Sequence, residues 1–463
     1  MSTAPRNGNR PEPNGGECVT FTFEGRTLAA RRGQTVAAAL LDNGVRILAR
    51  SFKYHRPRGY TCGYGACNNC AMTVDGLPGV SACTAELRGG EVVQRERGWP
   101  NATYDLLRGA DAMPRTLGAR FQFKHLAHQP RVAHRVEKIL GILAGAGVMA
   151  SPEAATSRMA RRIEPARPDV LVVGGGLSGC QAALGAADTG ARVMLVNRGS
   201  LGGRSRARTG DASETEAAAA RVREHANVQV VDGTAIGRFE EELIPVVARD
   251  VRYEVTPSAM VIAAGSYELP LLFPGNDKPG VMLVGAARRL LRVERVSPGS
   301  RAVVVTDRED GYAAAEELRA GGVTVAAVVD LRARAPEGDG GRAWPVFRGA
   351  VVEGALGMRH LRSLVVSAGG STHRLRCDLA CIALGERPAD ELLLQSIARE
   401  GNVTSTAVPV ATLAAAEAEV RAGRAAADGT WAVGSAAGWD DSNAEAARAA
   451  GAAAAAHAKG REL

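Results

Sequence analysis

The stretch Asp169-Val-Leu-Val-Val173-Gly174-Gly175-Gly176-Leu-Ser-Gly179 has the pattern of a short buried strand, a glycine turn and the start of a helix. Its glycines have the spacing G-x-G-x-x-G, which is a weak signal alone and a much stronger one between a strand and a helix. Helical spacing continues to Thr189, and a second apolar strand follows from Arg192 to Val196. The segment therefore predicts a βαβ unit of a Rossmann-like, dinucleotide-binding fold.

Three of these glycines have separate roles in such a unit. Gly174 makes the turn, Gly176 lets a pyrophosphate approach the backbone, and Gly179 lets the helix pack close to the strand. The amide groups at the N-terminus of the helix then face the phosphates. A glycine-rich turn without a ligand is the alternative interpretation.

The second strand ends in an unusual way. An acidic residue is expected there to bind the adenosine ribose, but Val196 is followed by Asn197 and Arg198. Asn197 can hydrogen-bond a hydroxyl without the strength of a charged partner, and Arg198 suits a phosphate. Gly203 and Arg204, further along the same loop, complete this group of candidate cofactor-binding residues.

Segments further along the chain resemble two-dinucleotide flavoproteins. Ala263-Ala264-Gly265 follows an apolar strand as the A-T-G segment does in those proteins, and Phe273-Pro-Gly-Asn-Asp277 comes next. Near the end, Trp431-Ala-Val-Gly434-Ser435 lies where they place a G-D pair beside the flavin, with Ser435 replacing the aspartate. We therefore predict cofactor contacts at Gly265 and Gly434 and favour FAD over NAD as the ligand.

A second βαβ pattern runs from Val303 to Asp330, within an inserted Rossmann-like unit expected at about 284–376. Thr306-Asp-Arg-Glu-Asp-Gly311 replaces its glycine fingerprint, which argues against ordinary NAD(P)H binding. Asp330 has the strand-end position suited to a ribose hydroxyl, although a structural role fits it equally well.

Four of the eight cysteines lie close together, in Cys62-Gly-Tyr-Gly-Ala-Cys67-Asn-Asn-Cys70 and at Cys83. C-x4-C-x2-C with a further cysteine is the spacing of plant-type [2Fe-2S] ferredoxins. Gly63 and Gly65 would let the backbone curl around the cluster, since glycine accepts positive φ without steric cost. A structural zinc site is the alternative, but zinc sites usually present paired short knuckles.

The residues before the cluster motif predict the domain that holds it. Alternation from Val19 to Phe23, a turn, and Arg26 to Ala30 indicate a hairpin, and Thr35 is a candidate N-cap for a helix from Val36 to Asp42. This is the opening of a β-grasp domain. The short gap to the fourth cysteine is similar to the β-grasp cluster domains of molybdenum hydroxylases.

The other four cysteines, Cys18, Cys180, Cys377 and Cys381, are dispersed. We expect Cys18 and Cys180 to be small buried side chains. The only C-x2-C spacing, Cys67 to Cys70, already belongs to the cluster motif. A thioredoxin-reductase mechanism is therefore disfavoured.

The bulk composition excludes several classes of protein. The chain has 463 residues, 46% of them hydrophobic, and a net charge of +8 without a block of like charges, which argues against nucleic-acid binding. The longest apolar run near the middle, Ile139 to Ala150, is about half of the roughly 20 residues of a membrane span. No apolar leader follows the polar start, so we expect a cytoplasmic location. His125, His128 and His134 lack metal-site spacing.

Together these patterns predict an α/β plus α+β chain in four parts. A disordered tail at 1–17 precedes a β-grasp [2Fe-2S] domain at 18–97. A connecting arm at 98–166, with helical spacing from Val132 to Leu143, leads to a two-dinucleotide-binding FAD/NAD(P) domain at 167–463.

A family resemblance rests on Ser51-Phe-Lys-Tyr-His-Arg-Pro-Arg-Gly59, Phe121-Gln-Phe-Lys124, the Phe273 to Gly280 segment and the terminal glycine-alanine strand. These resemble the N-terminal half of the α subunit of heterotetrameric sarcosine oxidase and related subunits of opine oxidases, hydrogen cyanide synthase and multisubunit amino-acid dehydrogenases. The sarcosine oxidase subunit lacks the cluster cysteines, and this chain lacks its folate-binding C-terminal half.

The resemblance implies an electron-transfer subunit that carries FAD and a [2Fe-2S] cluster and works with a separate flavoprotein subunit that oxidises an amine or amino acid. No residue of this chain need then act as acid or base, and no nucleophile elbow or Ser/His/Asp arrangement is present. The alternatives are a self-contained NAD(P)H-dependent reductase and a scaffold with a structural dinucleotide. Neither the amine nor the terminal electron acceptor follows from the sequence.

Overall fold

The computed structural model describes residues 17–52, 54–112, 149–159, 161–204, 213–333, 343–400, 429–437 and 444–461, with isolated positions between 131 and 141 and at 207. Residues 1–16 of the tail expected at 1–17, the Phe121–Lys124 segment and most of the helix expected from Val132 to Leu143 lie outside these residues. Within them, no helix combines the length and the apolar character that a membrane crossing requires.

The N-terminal part is a five-stranded β-grasp sheet with strand order β2-β1-β7-β5-β6. Its hairpin is antiparallel, and β1 runs parallel to β7, so the predicted fold class is confirmed. The elements are β1 Cys18–Phe23, β2 Arg26–Arg31, α1 Val36–Asp42, β3 Ala49–Arg50, β4 Pro57–Arg58, β5 Ala71–Val74, β6 Leu77–Ser81 and β7 Val92–Gln94.

Alternation along β1 sets the inner face of this sheet. Val19, Phe21 and Phe23 are all buried and pack against the apolar residues of α1. Thr35 lies at the N-cap position, as predicted, but its side chain makes no capping hydrogen bond. Its hydroxyl reaches instead to Glu294, far along the chain.

The second part is an eight-stranded sheet with order β25-β14-β9-β10-β11-β12-β13-β8. Strand β9 is buried along its whole length between parallel neighbours, as a central strand of a doubly covered sheet should be. The elements are α2 Pro152–Met159, β8 Arg162–Ala166, β9 Val170–Val173, α3 Leu177–Ala187, β10 Val193–Asn197, α4 Ser213–Glu224, β11 Val228–Ala235, β12 Ile244–Ala248, β13 Val251–Val255, β14 Ala259–Ile262, β25 Thr430–Ala432 and α8 Ala444–Arg461.

Strand β8 comes from the segment expected to be a polar connecting arm. It pairs in parallel with β13 and forms one edge of the sheet. Pro165 makes this strand difficult to predict from the sequence, because proline is accepted in sheets only at edges and bulges.

The third part is a five-stranded parallel sheet with order β16-β23-β17-β18-β19, beside a three-stranded antiparallel sheet. It runs from Val281 to Ala383, slightly beyond the unit expected at about 284–376. The extension arises because Val281–Leu283 and Leu379–Ala383 form two further strands of the sheet. The elements are β16 Val281–Leu283, α5 Val284–Arg292, β17 Arg301–Thr306, α6 Glu309–Ala320, β18 Thr324–Asp330, β19 Val346–Arg348, β20 Val351–Leu356, β21 Ser363–Ala368, β22 Ser371–Arg376 and β23 Leu379–Ala383. Outside this range, β15 Ser266–Glu268 and β24 Glu386–Pro388 form a two-stranded sheet, and α7 Glu391–Glu400 follows.

The β-grasp domain packs directly on this third part, and the two share one continuous apolar core. Glu294, which follows α5 and is only 4% exposed, accepts hydrogen bonds from the Thr35 backbone N–H (3.2 Å) and hydroxyl (3.1 Å). Arg289 of α5 donates to the same carboxylate at 3.3 Å. A buried carboxylate with several donors therefore holds the two domains together.

Helices α3 and α8 cross at two glycines in the second part. A Cβ on Gly185 would meet the Arg448 carbonyl oxygen, and a Cβ on Gly451 would meet the Ala182 carbonyl oxygen. The two backbones can approach this closely only because both positions lack a side chain. Since α3 begins at the glycine turn, this contact also fixes the position of that turn.

We expect Gly451→Ala to lower the free energy of unfolding by about 1–3 kcal/mol, because the new methyl group forces the two helices apart. The matched control is Gly460→Ala in the same helix, where a Cβ meets nothing within 4 Å. That change should be neutral or should stabilise the helix by up to about 1 kcal/mol. Urea denaturation followed by circular dichroism measures both, and equal effects of the two substitutions would contradict the close packing.

Candidate functional site

A cavity of about 1040 Å³ lies between the β-grasp domain and the sheet that carries the glycine turn. Its lining comes from all three parts of the chain, and the third part contributes Leu283, Arg289, Val293, Glu294 and Arg295. The first part contributes Cys62, Tyr64, Ala66, Thr84 and Glu86, and the second contributes Gly174, Gly175, Gly176, Ser178, Asn197, Arg198, Gly203, Arg204, Gly265 and Ser435. We call this space the shared cavity.

The glycine turn, residues 174–179, has the geometry that its sequence predicts. Gly174 has φ +108°, and a Cβ there would collide with the Ala263 carbonyl oxygen. A Cβ on Gly179 would collide with the Gly174 carbonyl oxygen, so the helix packs tightly on the turn. Gly176 has nothing within 4 Å of its Cβ position and faces the shared cavity. The turn therefore fits a pyrophosphate at the start of α3.

Asn197 lines the cavity, but its side chain holds the loop. Its Oδ1 accepts the Gly175 N–H at 2.9 Å, and its Nδ2 donates to the carbonyl oxygens of Gly199 (2.9 Å) and Ser200 (3.1 Å). Both amide hydrogens are thus directed to the backbone. Asn197 therefore holds the loop, and only its Oδ1 oxygen remains able to bind a ribose hydroxyl.

Arg198 reaches across the cavity boundary to the other domain. Its Nη2 donates to the Tyr64 carbonyl oxygen at 2.9 Å, and its Nη1 lies 3.3 Å from the Cβ position of Gly65. Arg198 thus contacts the cysteine loop through one guanidinium nitrogen while it also lines the shared cavity. Arg198, which follows the position expected for the ribose-binding residue, therefore connects the cysteine loop to the dinucleotide sheet.

Arg204 and its neighbours close another side of the cavity. Its Nη2 donates to the carbonyl oxygen (2.6 Å) and hydroxyl (2.5 Å) of Ser266, and its guanidinium lies 5.6 Å from the centre of the Tyr64 ring. Gly265 has φ +82° with open space beside it, and Gly434 has φ +62° and lies against Ser178. These predicted residues therefore come together around one space.

The loop from Cys62 to Cys70, which we call the cluster loop, curls through positive φ at Gly63 (+77°), Gly65 (+75°) and Asn68 (+54°). Two of its backbone amides point at sulfur: Gly65 N–H donates to Cys83 Sγ at 3.2 Å and Ala66 N–H to Cys62 Sγ at 3.3 Å. Amides aimed at thiolates are what an iron–sulfur site requires. The cluster loop therefore fits a [2Fe-2S] cluster.

The four thiols make pairwise contacts, Cys62 with Cys67 and Cys83, and Cys70 with Cys83. Among the described residues, no three His, Cys, Asp or Glu side chains surround one point as ligands of a single ion. Hydrogen bonds from Cys67 and Cys83 lower the pKa of Cys62, while contacts with Cys62 and Cys70 raise the pKa of Cys83. The four thiols thus lie close enough to act on one another electrostatically.

Two residues that the sequence analysis missed surround the cluster loop. Arg289 of α5 donates from Nη1 to the Gly63 carbonyl oxygen at 3.2 Å, and its guanidinium lies 5.3 Å from the centre of the Tyr64 ring. Tyr60 is 2% exposed, and its burial raises its pKa well above the usual value. Arg289 lies 226 residues from Gly63, and no local pattern marks that contact.

The other four cysteines lie outside this arrangement. Burial raises the pKa of Cys180 to about 11 and the pKa values of Cys377 and Cys381 to about 12, so these are unreactive thiols of the core. Cys18 is exposed, and the expectation that it is buried is wrong. It is the first residue of the edge-forming hairpin, where alternation directs its side chain outwards.

In the third part, side chains of the protein occupy the positions that a nicotinamide dinucleotide would need. Asp330 is fully buried and accepts hydrogen bonds from the Tyr312 hydroxyl (2.8 Å) and from Arg332 Nη2 (2.7 Å). A Cβ on Gly311 would collide with Thr306. Asp330 is therefore structural, and the ribose role considered for it does not fit.

The start of α6 is also unsuited to phosphate. Its first turn carries Glu309 and Asp310, which are stabilised by the positive end of the helix dipole. Arg288, buried at 5% exposure, makes a bidentate contact with Asp310 at 2.8 and 3.0 Å and also contacts Glu317. The carboxylates thus fill the anion position and repel a pyrophosphate.

Comparison with known families identifies two domains. Residues 16–98 match the 2Fe-2S iron-sulfur cluster binding domain, and residues 169–257 match the FAD dependent oxidoreductase family. These matches assign a [2Fe-2S] cluster and FAD to the chain as its cofactors. The cluster interpretation and the preference for FAD are thereby confirmed.

The relatives that match most of the chain are alpha subunits of sarcosine oxidase. The chain is 34% identical over 80% of its length to the sarcosine oxidase subunit alpha of Rhizobium meliloti (strain 1021), and 28% identical over 81% to that of Corynebacterium sp. (strain P-1). It spans 40% and 38% of the length of these two relatives. A shorter match, 36% identity over 17% of this chain and 74% of the relative, joins it to hydrogen cyanide synthase subunit HcnA of Pseudomonas aeruginosa.

Among solved structures, L-proline dehydrogenase from P. horikoshii is similar in fold, with a TM-score of 0.63 and 20% identity. The match covers 98% of this chain and 75% of that one. Because 98% of this chain is covered, the likeness in fold extends over its β-grasp part and both Rossmann-like parts. The chain is therefore a homologue of the sarcosine oxidase alpha subunits, related to them over a stretch that spans about 40% of their length.

Proposed function

We propose that this chain is the electron-transfer subunit, carrying FAD and a [2Fe-2S] cluster, of a multisubunit flavin-dependent dehydrogenase or oxidase that acts on an amine or amino acid. One observation carries the proposal: the cluster loop and the glycine turn line the same cavity. Electron transfer needs two cofactors in close proximity, and this arrangement brings their two sites together.

We assign the cluster ligands to Cys62, Cys67, Cys70 and Cys83, and the dinucleotide site to the cavity around the glycine turn. A flavin can accept two electrons and release them singly, which a one-electron cluster requires. The protein has the task of placing and tuning these groups. The glycine turn binds phosphate through its amides, and the amides of Gly65 and Ala66 stabilise thiolate charge.

Three arginines surround Tyr64, which lies in the wall between the two proposed sites. Arg198 holds its carbonyl oxygen, and Arg204 and Arg289 lie against its ring. A concentration of positive charge there favours an anionic diphosphate and an added electron nearby. These residues would therefore stabilise both cofactors in the charged forms that the transfer produces.

We also propose that a second subunit holds the substrate site. The relatives have the word "subunit" in their names, and this chain spans less than half the length of the sarcosine oxidase subunits that it matches. We propose domains at 18–97, 98–166 and 167–463, except that Arg162–Ala166 pairs with β13 and so belongs to the dinucleotide sheet.

The main competing function, a self-contained NAD(P)H-dependent reductase, has an observation against it. In the third part, Asp330 is bonded to Tyr312 and Arg332, and carboxylates occupy the start of α6. A nicotinamide dinucleotide would have to displace these internal partners. The inserted Rossmann-like unit serves instead as the support on which the β-grasp domain packs.

The function is tested by purifying the tagged chain from its host, identifying the co-purifying subunits and measuring flavin reduction by amines and amino acids. We expect an associated flavoprotein, FAD released by acid, and a rhombic EPR signal after reduction with dithionite. Rapid bleaching of the flavin by NADH in the isolated chain would contradict the proposal in favour of the reductase. If dithionite neither bleaches the flavin nor produces an EPR signal, a scaffold function is favoured instead.

We expect Cys70→Ser to reduce the iron content and to remove the rhombic EPR signal, because one thiolate ligand is lost. Cys18→Ser is the matched control, since Cys18 is an exposed thiol of the same domain. Iron and acid-labile sulfide analysis, together with EPR of both purified variants, provides the measurement. Retention of a normal cluster in Cys70→Ser would refute the ligand assignment.

We expect Arg198→Gln to slow electron transfer from flavin to cluster by about tenfold while both cofactors stay bound, since a charge-assisted hydrogen bond of about 1.5–3 kcal/mol then no longer fixes the cluster loop. Laser-flash reduction of the flavin, followed at wavelengths where the cluster absorbs, gives the rate. Arg221→Gln, an exposed change on α4, is the control. Equal rates in the two variants would show that the contact does not couple the sites.

A further inference from the structure

Tyr60 presents a buried hydroxyl to the cluster loop. The residue lies two positions before Cys62 and is 2% exposed, and its hydroxyl has no hydrogen-bond partner among the described residues. The phenol oxygen lies 3.1 Å from the Cβ position of Gly63, between the first two cysteines of the loop. The hydroxyl therefore faces the loop that surrounds the proposed cluster.

Nearby acceptors already have other donors. The Gly63 carbonyl oxygen accepts from Arg289, and the Gly59 carbonyl oxygen accepts from the Thr61 hydroxyl. The Glu294 carboxylate accepts from Thr35 and Arg289. The Tyr60 ring itself packs into the apolar core, which leaves the side of the cluster loop as the direction in which its hydroxyl can find a partner.

A buried hydroxyl without a partner is costly, and such groups in native proteins usually serve a bound group. Cys83 and Arg289 are among the charged or ionisable groups that act electrostatically on this phenol. Sulfur atoms of an iron–sulfur cluster accept hydrogen bonds, and such bonds set its reduction potential. The position of Tyr60 matches this requirement.

We propose that the Tyr60 hydroxyl donates a hydrogen bond to a sulfur atom of the [2Fe-2S] site and thereby raises the reduction potential of the cluster. The inference rests on the cluster ligands assigned above. Tyr60 tunes the cluster without being one of its ligands. Because a donor stabilises the added electron, the effect favours transfer of electrons from the flavin to the cluster.

The test is a redox titration of the full-length chain, monitored by EPR, for Tyr60→Phe and the wild type. We expect a more negative midpoint potential in Tyr60→Phe with an unchanged iron content, and loss of one exchangeable-proton coupling in electron–nuclear double resonance of the reduced cluster. Tyr54→Phe is the control, because Tyr54 is 41% exposed in the preceding loop. An unchanged potential together with unchanged couplings would overturn the inference. That is the result expected if the Tyr60 hydroxyl bonded to a buried water and not to the cluster.

A second substitution keeps the test decisive if Tyr60→Phe fails to assemble its cluster. Site-specific replacement of Tyr60 by 3-fluorotyrosine retains the hydroxyl and makes it a stronger donor, so the midpoint potential should shift in the positive direction. No shift, or a shift in the negative direction, would contradict the hydrogen bond. Complete absence of a cluster signal in the wild type would refute the ligand assignment itself, which distinguishes the two failures.

Discussion

The contact between the cluster loop and the dinucleotide sheet is the constraint on which the rest of this structure depends. Arg198 donates from the end of β10 to the Tyr64 carbonyl oxygen, and Arg289 donates from α5 to that of Gly63. Two parts of the chain thus hold one short loop by its backbone. Such bonds fix the position of a loop without requiring a particular side chain on it, which leaves the side chains free to face cofactors.

This constraint explains why two residue patterns typical of dinucleotide-binding folds are absent from the sequence. The ribose-binding acid of the first Rossmann-like part is absent, and the residue after its position holds the cluster loop instead. The glycine fingerprint of the inserted part is also absent, and Arg288 there contacts Asp310 and Glu317. Its helix α5 provides the surface on which the β-grasp domain packs. The departures therefore mark places where the protein uses a dinucleotide-binding fold to bind another domain.

Local patterns in the sequence were sufficient to predict the two cofactors, [2Fe-2S] and FAD. The turn at Gly174 to Gly179 and the spacing of the cysteines depend on residues close in the chain, whose backbone demands are readable from residue type. The contact that joins the sites was not predictable, because Arg198 and Tyr64 are 134 residues apart and an arginine has no preferred partner in sequence. Strand β8 was missed for another reason: Pro165 weakens the strand pattern, and only its edge position in the sheet accommodates it.

The most direct test of the account is a crystal structure of the protein with its cofactors, with anomalous diffraction collected at the iron absorption edge. The account predicts iron peaks among Cys62, Cys67, Cys70 and Cys83, and dinucleotide density that begins at the glycine turn and extends into the shared cavity towards Tyr64. Iron located away from these cysteines, or a dinucleotide bound in the third part of the chain with the shared cavity filled only by solvent, would contradict it.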